Sequence, residues 1–278
     1  MNKTLKTLLI KTKKSVFSQQ IGNNTSNIKG EGYDFVELRE YEDGEDIRKI
    51  DWVISAKMQK PFVKVFHTQR ELNINIVPIL NGSTYFGTKI LKKDIITEIC
   101  STLGYIAGAQ GDSYSSYIAN EDAFLNTQTT KKLLGVQNMV EKIYHYDPIG
   151  KNVDYAKLTN TLSKQIRKKS IIFLIGDFFN TEKLNLKPLS KKHEVVVIIV
   201  RDRFEESPIA IGSVNFTDPS SSQVFDGDLN SSLALNYKQK IQKHDHELYQ
   251  NLKKSGIEFT KIYSDENIIK KLAILFHT

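Results

Sequence analysis

Two uninterrupted apolar runs constrain the fold of this chain most strongly. Ile171–Gly176 (IIFLIG) and residues 195–200 (VVVIIV) carry apolar side chains at successive positions rather than at alternate ones. A strand with this pattern is covered on both faces, which is typical of the centre of a parallel sheet. Two parallel strands need a long crossover connection, usually a helix. The two runs therefore predict an α/β fold.

Strand-like and helix-like patterns alternate along most of the chain. We predict strands at residues 61–66, 73–80, 113–119, 171–176, 195–200 and 257–263, and helices at residues 90–106, 131–143, 153–166, 236–254 and 266–276. Strands separated by helices indicate βαβ units with right-handed crossovers. The predicted fold class is a mostly parallel sheet flanked by helices.

Length and composition exclude several classes of protein. The chain has 278 residues, of which 40% are hydrophobic and 26% charged, and this is a globular composition. Its single cysteine, Cys100, excludes an intramolecular disulfide and a cysteine-based zinc site. The apolar runs are too short for a membrane span or for the core of a signal peptide. We therefore expect a cytoplasmic protein.

The N-terminal segment carries most of the net charge of +7. Residues 1–30 contain six lysines and no acidic residue. We interpret residues 1–20 as a basic extension whose few apolar side chains pack on the body, so that a chain starting near Gly22 should be about as stable. The alternative is an amphipathic helix that binds an anionic membrane surface. Because a basic tail on a near-neutral body is not a basic face, no nucleic acid is expected as a partner.

Standard catalytic and nucleotide-binding motifs are missing. The chain contains no G-x-x-x-x-G-K-[ST], G-x-G-x-x-G or G-x-S-x-G sequence. An open parallel sheet binds ligands at the carboxyl ends of its strands, which here nominates the loops at residues 81–84 and 177–180. Neither loop pairs a nucleophile with a histidine in sequence. We expect a protein that is not an enzyme and that has no cofactor.

Residues 31–51 form a block dense in charge, with nine acids among Arg39, Arg48 and Lys49. The acids do not repeat like a calcium loop, so we interpret the block as a network in which guanidinium groups hold carboxylates and loop backbone. Residues 42–45 read as a turn, and Trp52 as an anchoring aromatic residue. The alternative, a hydrolase that uses this block, requires two carboxylates with separated pKa values and a cleft.

The same block also resembles the sequence signature of a known protein family. Gly30-x-Gly32-x-x-Phe35-x-x-Leu38-Arg39-x-Tyr41-x-x-Gly44-x-Asp46-x-Arg48-x-Ile50-Asp51-Trp52 resembles the signature of the bacterial domain of unknown function 58 family. The resemblance implies a von Willebrand factor A-like domain at residues 71–278, after a basic segment at 1–20 and a β-rich extension at 21–70. It also implies partnership with a MoxR-type AAA+ ATPase that matures or assembles a client protein.

The same resemblance points to a degenerate metal-ion-dependent adhesion site. Von Willebrand factor A domains bind Mg²⁺ through an Asp-x-Ser-x-Ser loop, a threonine and a distant aspartate. Alignment on Phe86-Gly87 gives the corresponding positions as Ile79, Asn81, Ser83, Lys151 (in place of the threonine) and Asp177. A hard dication needs several oxygen ligands, so we expect no metal here. Lys151 is the candidate replacement cation; alternatively, it points to solvent and Asp177 caps the following turn.

These observations lead to one functional hypothesis and two rivals. The leading hypothesis is a non-enzymatic adaptor that works with a MoxR-type AAA+ ATPase on a client protein. The first rival is a module that binds an anionic membrane or nucleic acid through residues 1–20. The second rival is a hydrolase that uses the acidic block.

Overall fold

The computed structural model describes residues 7–9, 12, 35–66 and 71–276. The described residues divide into two compact units: one contains residues 35–66 and 71, and the other contains residues 7–9, 12 and 72–276. Gly32 of the signature lies outside the described residues. Of the basic segment, the described residues 7–9 and 12 belong to the larger unit.

The smaller unit contains a two-stranded antiparallel sheet and a short helix. Its elements are β1 (Phe35–Glu40), α1 (Trp52–Met58) and β2 (Phe62–Phe66). In the sheet, Arg39 of β1 lies opposite Val63 of β2. The described part of this unit thus holds one two-stranded sheet, together with a helix that the sequence analysis did not predict.

The larger unit is a six-stranded sheet with helices. Its strands are β3 (Asn73–Pro78), β4 (Ser113–Ala119), β5 (Ala123–Thr130), β6 (Ile171–Gly176), β7 (Glu194–Arg201) and β10 (Glu258–Tyr263). A separate hairpin consists of β8 (Gly212–Thr217) and β9 (Val224–Leu229). The helices are α2 (Lys92–Gln110), α3 (Leu133–His145), α4 (Tyr155–Gln165), α5 (Lys187–Ser190), α6 (Arg203–Glu206), α7 (Ser231–Lys254) and α8 (Ile268–Phe276). Among the described residues, no helix is long and apolar enough to cross a membrane.

The order of the strands confirms the predicted fold class. The sheet runs β10-β7-β6-β3-β4-β5, and every pairing is parallel except β4 with β5. Read from β5, this is the doubly wound order 3-2-1-4-5-6, in which the first strand lies at the centre. The fold is a mostly parallel α/β sheet flanked by helices, with an antiparallel edge strand.

Helices cover both faces of the sheet and create two apolar cores. The first core packs α2, α3 and α8 on one face, and the second packs α4, α5 and α7 on the other. Side chains of β6 and β7 alternate between the two cores, so Val196 and Ile198 enter the first while Val195 and Val197 enter the second. This double coverage explains why the two strands are apolar at successive positions.

One residue of the basic segment belongs to the first core. Residues 7–9 form a helical turn, and Leu9 is only 4% exposed among the side chains of α2, α3 and α8, with Leu8 packed against the same cluster. Thr12 is also buried. The expected packing of apolar residues on the body is therefore present. The expectation that the segment contributes little to stability is corrected, because Leu9 is as buried as the core of the sheet.

We predict that Leu9→Ala destabilises the protein by about 2–4 kcal/mol, the usual loss when a buried leucine is truncated. The matched control is Leu134→Ala, because Leu134 is 66% exposed; its effect should stay within about 0.5 kcal/mol. Urea unfolding of the full chain measures both. Equal effects of the two substitutions would show that Leu9 is not part of the core.

Candidate functional site

Four loops meet at the carboxyl ends of β3, β6 and β7. They are residues 81–85 after β3, which include a 3₁₀ turn at Gly82–Tyr85, residues 150–151, residues 177–180 after β6, and residues 202–206 after β7. The amide of Gly82 donates to the carbonyl of Lys151 at 2.9 Å, which joins the first two loops. We call the surface formed by these loops the strand-end face.

A buried carboxylate lies at the centre of this face. Asp177 directly follows β6 and is 2% exposed. Its Oδ2 accepts hydrogen bonds from the hydroxyl of Ser83 at 2.5 Å and from Nζ of Lys92 at 3.0 Å. The two candidate loops after β3 and β6 are therefore in contact through Ser83 and Asp177, and the cation at Asp177 comes from α2.

Lys92 links three separate elements. It is the first residue of α2, it is fully buried, and its Nζ donates to Oε1 of Glu205 in α6 at 2.6 Å as well as to Asp177. The same ammonium lies 4.7 Å from the ring centroid of Phe179. The first turn of a helix disfavours a cation because the helix dipole is positive there. Two carboxylates and an aromatic face offset that cost.

A second buried cation extends the network. Arg201, the last residue of β7, donates to Asp245 of α7 at 2.8 Å and stacks on the ring of Phe179 at 3.6 Å. Nζ of Lys261 donates to Asp245 at 2.8 Å. We call Lys92, Asp177, Arg201, Glu205, Asp245 and Lys261 the buried ionic cluster. Among the described residues, Nε and Nη1 of Arg201 and Oε2 of Glu205 have no hydrogen-bond partner.

The two carboxylates that share Lys92 have opposite pKa shifts. Burial alone would raise the pKa of Asp177, but Lys92, the Ser83 hydroxyl and Arg201 outweigh it and hold that pKa below its usual value. Burial raises the pKa of Glu205 to about 7, against the lowering effect of Lys92. Around neutral pH, therefore, Asp177 is ionised whereas Glu205 exchanges its proton.

Backbone strain after β6 places two phenylalanines on opposite sides of the site. Phe178 has a φ of 52°, in the left-handed region that non-glycine residues seldom adopt. Its side chain is fully buried and stacks on Tyr155 with 5.9 Å between ring centroids. Phe179 turns the other way and contacts Lys92 and Arg201. The strained turn thus anchors the loop in the second core and covers the cations with an aromatic ring.

The structure brings together most, not all, of the residues predicted for the degenerate metal site. Asn81 and Ser83 lie in the loop after β3, and Ile79 is buried in the second core. The side chain of Lys151 is exposed; its backbone carbonyl, not its ammonium, is part of the face. Lys151 as the replacement cation is therefore corrected to Lys92. The alternative in which Asp177 caps a turn is also replaced by its pairing with Lys92.

The residues present do not fit a divalent cation. Ile79 offers no oxygen from its side chain, and the ammonium of Lys92 lies 3.0 Å from the Oδ2 that would coordinate the ion. The hydroxyl of Ser83 donates to the same oxygen. A dication needs several oxygen ligands and no neighbouring ammonium. Within the described part of the chain, no group of three or more His, Cys, Asp or Glu side chains is arranged to hold a metal ion either.

The sequence analysis did not predict Lys92, Arg201 or Glu205 as site residues, although each has a sequence feature that points to the site. Lys92 stands at the start of an apolar-periodic helix, where a lysine is electrostatically misplaced. Arg201 ends an otherwise apolar strand, and Glu205 lies in the charged loop that follows. That loop is the third carboxyl end of a parallel strand, the location that general rules assign to ligand sites.

The signature residues of the smaller unit form surface ion pairs and caps. Arg39 forks to Glu45, Arg48 forks to Asp46 at 3.0 and 2.9 Å, and Asp51 pairs with Lys64. The carbonyl of Glu45 also accepts from the hydroxyl of Tyr41 at 3.1 Å. The predicted guanidinium forks are therefore present. They lie near solvent, so they contribute little to stability.

Two residues of the signature, Gly44 and Asp51, also determine the backbone geometry of the block. Gly44 has a φ of 102° in the turn that was predicted at residues 42–45. Oδ1 of Asp51 accepts from the amides of Val53 and Ile54 at 3.0 Å and so caps α1. Trp52 is 65% exposed, because it lies on the outer side of this short helix. The prediction of Trp52 as an anchoring residue is wrong.

The carboxylates of the block lack the pKa pattern of an acid–base pair. The hydrogen bond from Arg39 lowers the pKa of Glu45, and that from Arg48 lowers the pKa of Asp46. Lys64 likewise lowers the pKa of Asp51. A general acid needs a raised pKa beside an ionised partner. These three carboxylates all shift downward, which does not support hydrolysis by the block.

We predict that Lys92→Met destabilises the protein by about 3–5 kcal/mol, because it leaves buried carboxylates without a cation. Lys92→Met combined with Asp177→Asn should recover part of that loss. The control is Lys89→Met, since Lys89 is exposed. Guanidinium unfolding at pH 7.5 measures all three variants. A loss below about 1 kcal/mol for Lys92→Met would contradict the assigned pairing.

We predict a pH dependence that disappears in Glu205→Gln. A carboxyl with a pKa near 7 in the folded state and about 4.3 in the unfolded state stabilises the fold while it is protonated. That stability is therefore lost as the pH rises from about 5 to 8. Relative to the wild type, Glu205→Gln should gain about 2–3 kcal/mol between pH 5 and pH 8. Unfolding of both chains at several pH values tests this, and a constant difference would refute it.

Comparison with solved structures finds distant similarity. The fold is similar to that of the conserved hypothetical protein BatB from Bacteroides thetaiotaomicron, with a TM-score of 0.47, 14% identity and coverage of 74% of this chain and 96% of that chain. A von Willebrand factor type A protein from Catenulispora acidiphila gives a TM-score of 0.37 and 11% identity, covering 66% of this chain and 44% of that one.

Similar sequences occur in mycobacteria. The uncharacterized proteins Mb1516 of Mycobacterium bovis and Rv1480 of Mycobacterium tuberculosis are each 23% identical over 270 residues, which cover 95% of this chain and 84% of each relative. The family described as Protein of unknown function DUF58 matches residues 37–247, which is more than half of the chain. The chain therefore belongs to the DUF58 family.

Proposed function

We propose that this chain is a non-enzymatic adaptor that binds a protein partner through the strand-end face without a metal ion. The observation that carries the proposal is the buried ammonium of Lys92, held between Asp177 and Glu205. It places a fixed positive charge where a domain of this fold would hold Mg²⁺. We further propose a MoxR-type AAA+ ATPase as the partner and maturation or assembly of a client protein as the process.

The fixed cation limits how this face can bind. An ammonium that is fully buried and already donates to two carboxylates cannot be reached by a partner's carboxylate in the way that a metal ion in an open site can. Contacts must instead come from hydrogen bonds to loop backbone and from apolar side chains. Tyr85 and Ile90 are the exposed apolar residues beside the face, whereas Phe178 is buried and unavailable.

The polar contacts of the face favour binding over catalysis. The hydroxyl of Ser83 donates to an ionised carboxylate that a lysine already neutralises, so Asp177 is a poor base for activating it. Glu205 has a pKa suited to proton transfer, but its side chain is only 13% exposed and is paired with Lys92. A site without an accessible nucleophile and base supports an interaction role.

The remaining parts of the chain agree with this proposal. Leu9 is buried in the first core, so it is not available to a membrane surface, and this weakens the basic-segment alternative. Cys100 is free and buried. A reduced buried thiol suits the cytoplasm, which we propose as the compartment.

We predict that the chain binds a MoxR-type ATPase equally well with and without divalent ions. The measurement is isothermal titration of the full chain into the ATPase without nucleotide, in EDTA and in 5 mM MgCl₂. Affinities within about twofold are expected, because no metal bridges the interface. Titration of Mg²⁺ and Mn²⁺ into the chain alone is the control and should show no saturable binding. Binding that requires Mg²⁺ would refute metal independence, and no binding in either buffer would refute the partner.

A further inference from the structure

The β8–β9 hairpin is a separate two-stranded ribbon that lies between α6 and α7 in the sequence. Residues of β8 are exposed or half-buried along both faces of the ribbon. Asp226 and Asp228 of β9 are exposed as well, whereas Leu229 at its base is buried. A two-stranded ribbon with so little buried area is only marginally stable by itself. Its position therefore depends on its base and on whatever its tip contacts.

The tip of the hairpin lies on the strand-end face. The amide of Gly150 donates to the carbonyl of Pro219 at 2.8 Å. A Cβ added at Gly82 would lie 2.5 Å from the carbonyl carbon of Pro219 and closer still to the amide of Ser220. Gly82 is adjacent to Ser83, whose hydroxyl bonds to Asp177. The tip thus covers the loop that supplies Ser83.

The tip is preorganised by its own hydrogen bonds. The carboxylate of Asp218 accepts from the amide of Ser220 at 2.9 Å and from the hydroxyl of Ser221 at 2.6 Å. The amide of Ser222 donates to the carbonyl of Asp218 at 2.8 Å, and Ser222 has a φ of 59°. A turn closed in this way keeps its shape when it leaves the surface, because its internal bonds need not break.

We propose that the tip, residues 218–222, is an intramolecular occupant of the strand-end face that a protein partner must displace. The partner half of this proposal rests on the proposed function, whereas the occupancy does not. Contact at Gly82 requires a close approach of backbone to backbone, which explains why this position has no side chain. The tip is therefore seated on the face rather than merely near it.

Two features make the contact between the tip and the strand-end face reversible. The tip contacts the body through backbone atoms at Gly82 and Gly150 and buries little apolar surface, so opening costs little free energy. β8 is exposed or half-buried along its whole length, so this strand can move away from the body without disturbing a core. Local opening of such segments occurs below the free energy of global unfolding.

The contacts of the tip also define the chemistry that a partner's segment needs in order to replace it. Whatever replaces the tip must offer a carbonyl to the amide of Gly150 and bring backbone within contact of Gly82. A tight turn of small and polar residues meets both requirements, as Pro219 and Ser220 do here. The partner that fits is a folded protein presenting such a turn, not a helix or a bulky aromatic side chain.

Hydrogen exchange tests the occupancy on the full chain. Gly82→Ala should displace the tip and speed exchange of the Gly150 amide at least tenfold, while amides of β6 stay protected. A second variant replaces residues 219–222 with Asn-Gly, a two-residue hairpin turn between Asp218 and Gln223, whose backbones are already hydrogen-bonded; it should give the same result without a clash. The control is Asn215→Ala, an exposed position in the middle of the ribbon, which should leave Gly150 protected.

Two results would overturn the occupancy. One is unchanged protection of Gly150 in both the Gly82→Ala and the shortened variants. The other is unfolding of the α/β unit in both, because the tip would then be part of the structural core. A cyclised peptide of residues 212–229 adds an independent readout. It should bind the shortened variant and not the wild type, and failure to bind the shortened variant also counts against the occupancy.

Affinity for the ATPase tests displacement. If the partner competes with the tip, the shortened variant should bind at least fivefold more tightly than the wild type. Equal or weaker binding of the shortened variant refutes competition. Absence of binding by both chains refutes the proposed partner instead, and the exchange and peptide results then decide the occupancy by themselves.

Discussion

The ammonium of Lys92 is the interaction on which the upper edge of the sheet depends. It joins the start of α2, the loop after β6 and the short helix α6 through two carboxylates. Taking these three charged groups out of water is costly, and only close pairing repays the cost. Because the ammonium is fully buried, a cation from solvent cannot take its place between the two carboxylates. The relative positions of the loops after β3, β6 and β7 follow from this one contact.

The order of the sheet makes such a contact possible. β6 lies between β3 and β7, so the loops after these three strands lie side by side at one edge. α2 begins at the same edge, after a connection of residues 79–91 that includes the 3₁₀ turn at Gly82–Tyr85, and its first residue reaches Asp177 after β6. Phe179 then lies between Lys92 and Arg201 and separates two cations that would otherwise repel. Topology and local strain together hold the buried ionic cluster.

The parts of this structure that sequence reasoning recovered are those determined by local periodicity. The runs in β6 and β7 are apolar at successive positions because helices cover both faces, and this pattern led directly to a parallel sheet. The loops that carry Ser83 and Asp177 were nominated by a general rule about strand ends, and the two residues were placed in one site by the resemblance. β5 was missed because its residues, AFLNTQTT, show no regular alternation, as expected for a partly exposed edge strand.

Contacts made by long side chains could not be predicted from the periodicity of the sequence. Lys92 reaches Asp177 across 85 positions of sequence, and nothing in the spacing of either residue indicates the other. Lys151 seemed the better candidate because alignment placed it at the site, yet only its backbone lies there. Trp52 looked like an anchor by residue type, but its short helix turns it outward. The surroundings of these side chains depend on the three-dimensional fold, which a local sequence pattern does not show.

A fixed cation and a self-occupied face together change how affinity can be controlled. Where a metal ion completes a binding site, affinity follows the ion. Here the charge is supplied by Lys92 and is constant, so the adjustable quantity is the fraction of molecules in which the hairpin tip is open. If the tip is closed in about 99% of molecules, the apparent dissociation constant for a competing partner rises about a hundredfold. A change of about 1.4 kcal/mol in the seating of the tip alters that affinity tenfold. Such a change is within the range of single contacts at Gly82 and Gly150, so control of binding lies in the backbone fit of the hairpin rather than in the chemistry of the charged cluster beneath it.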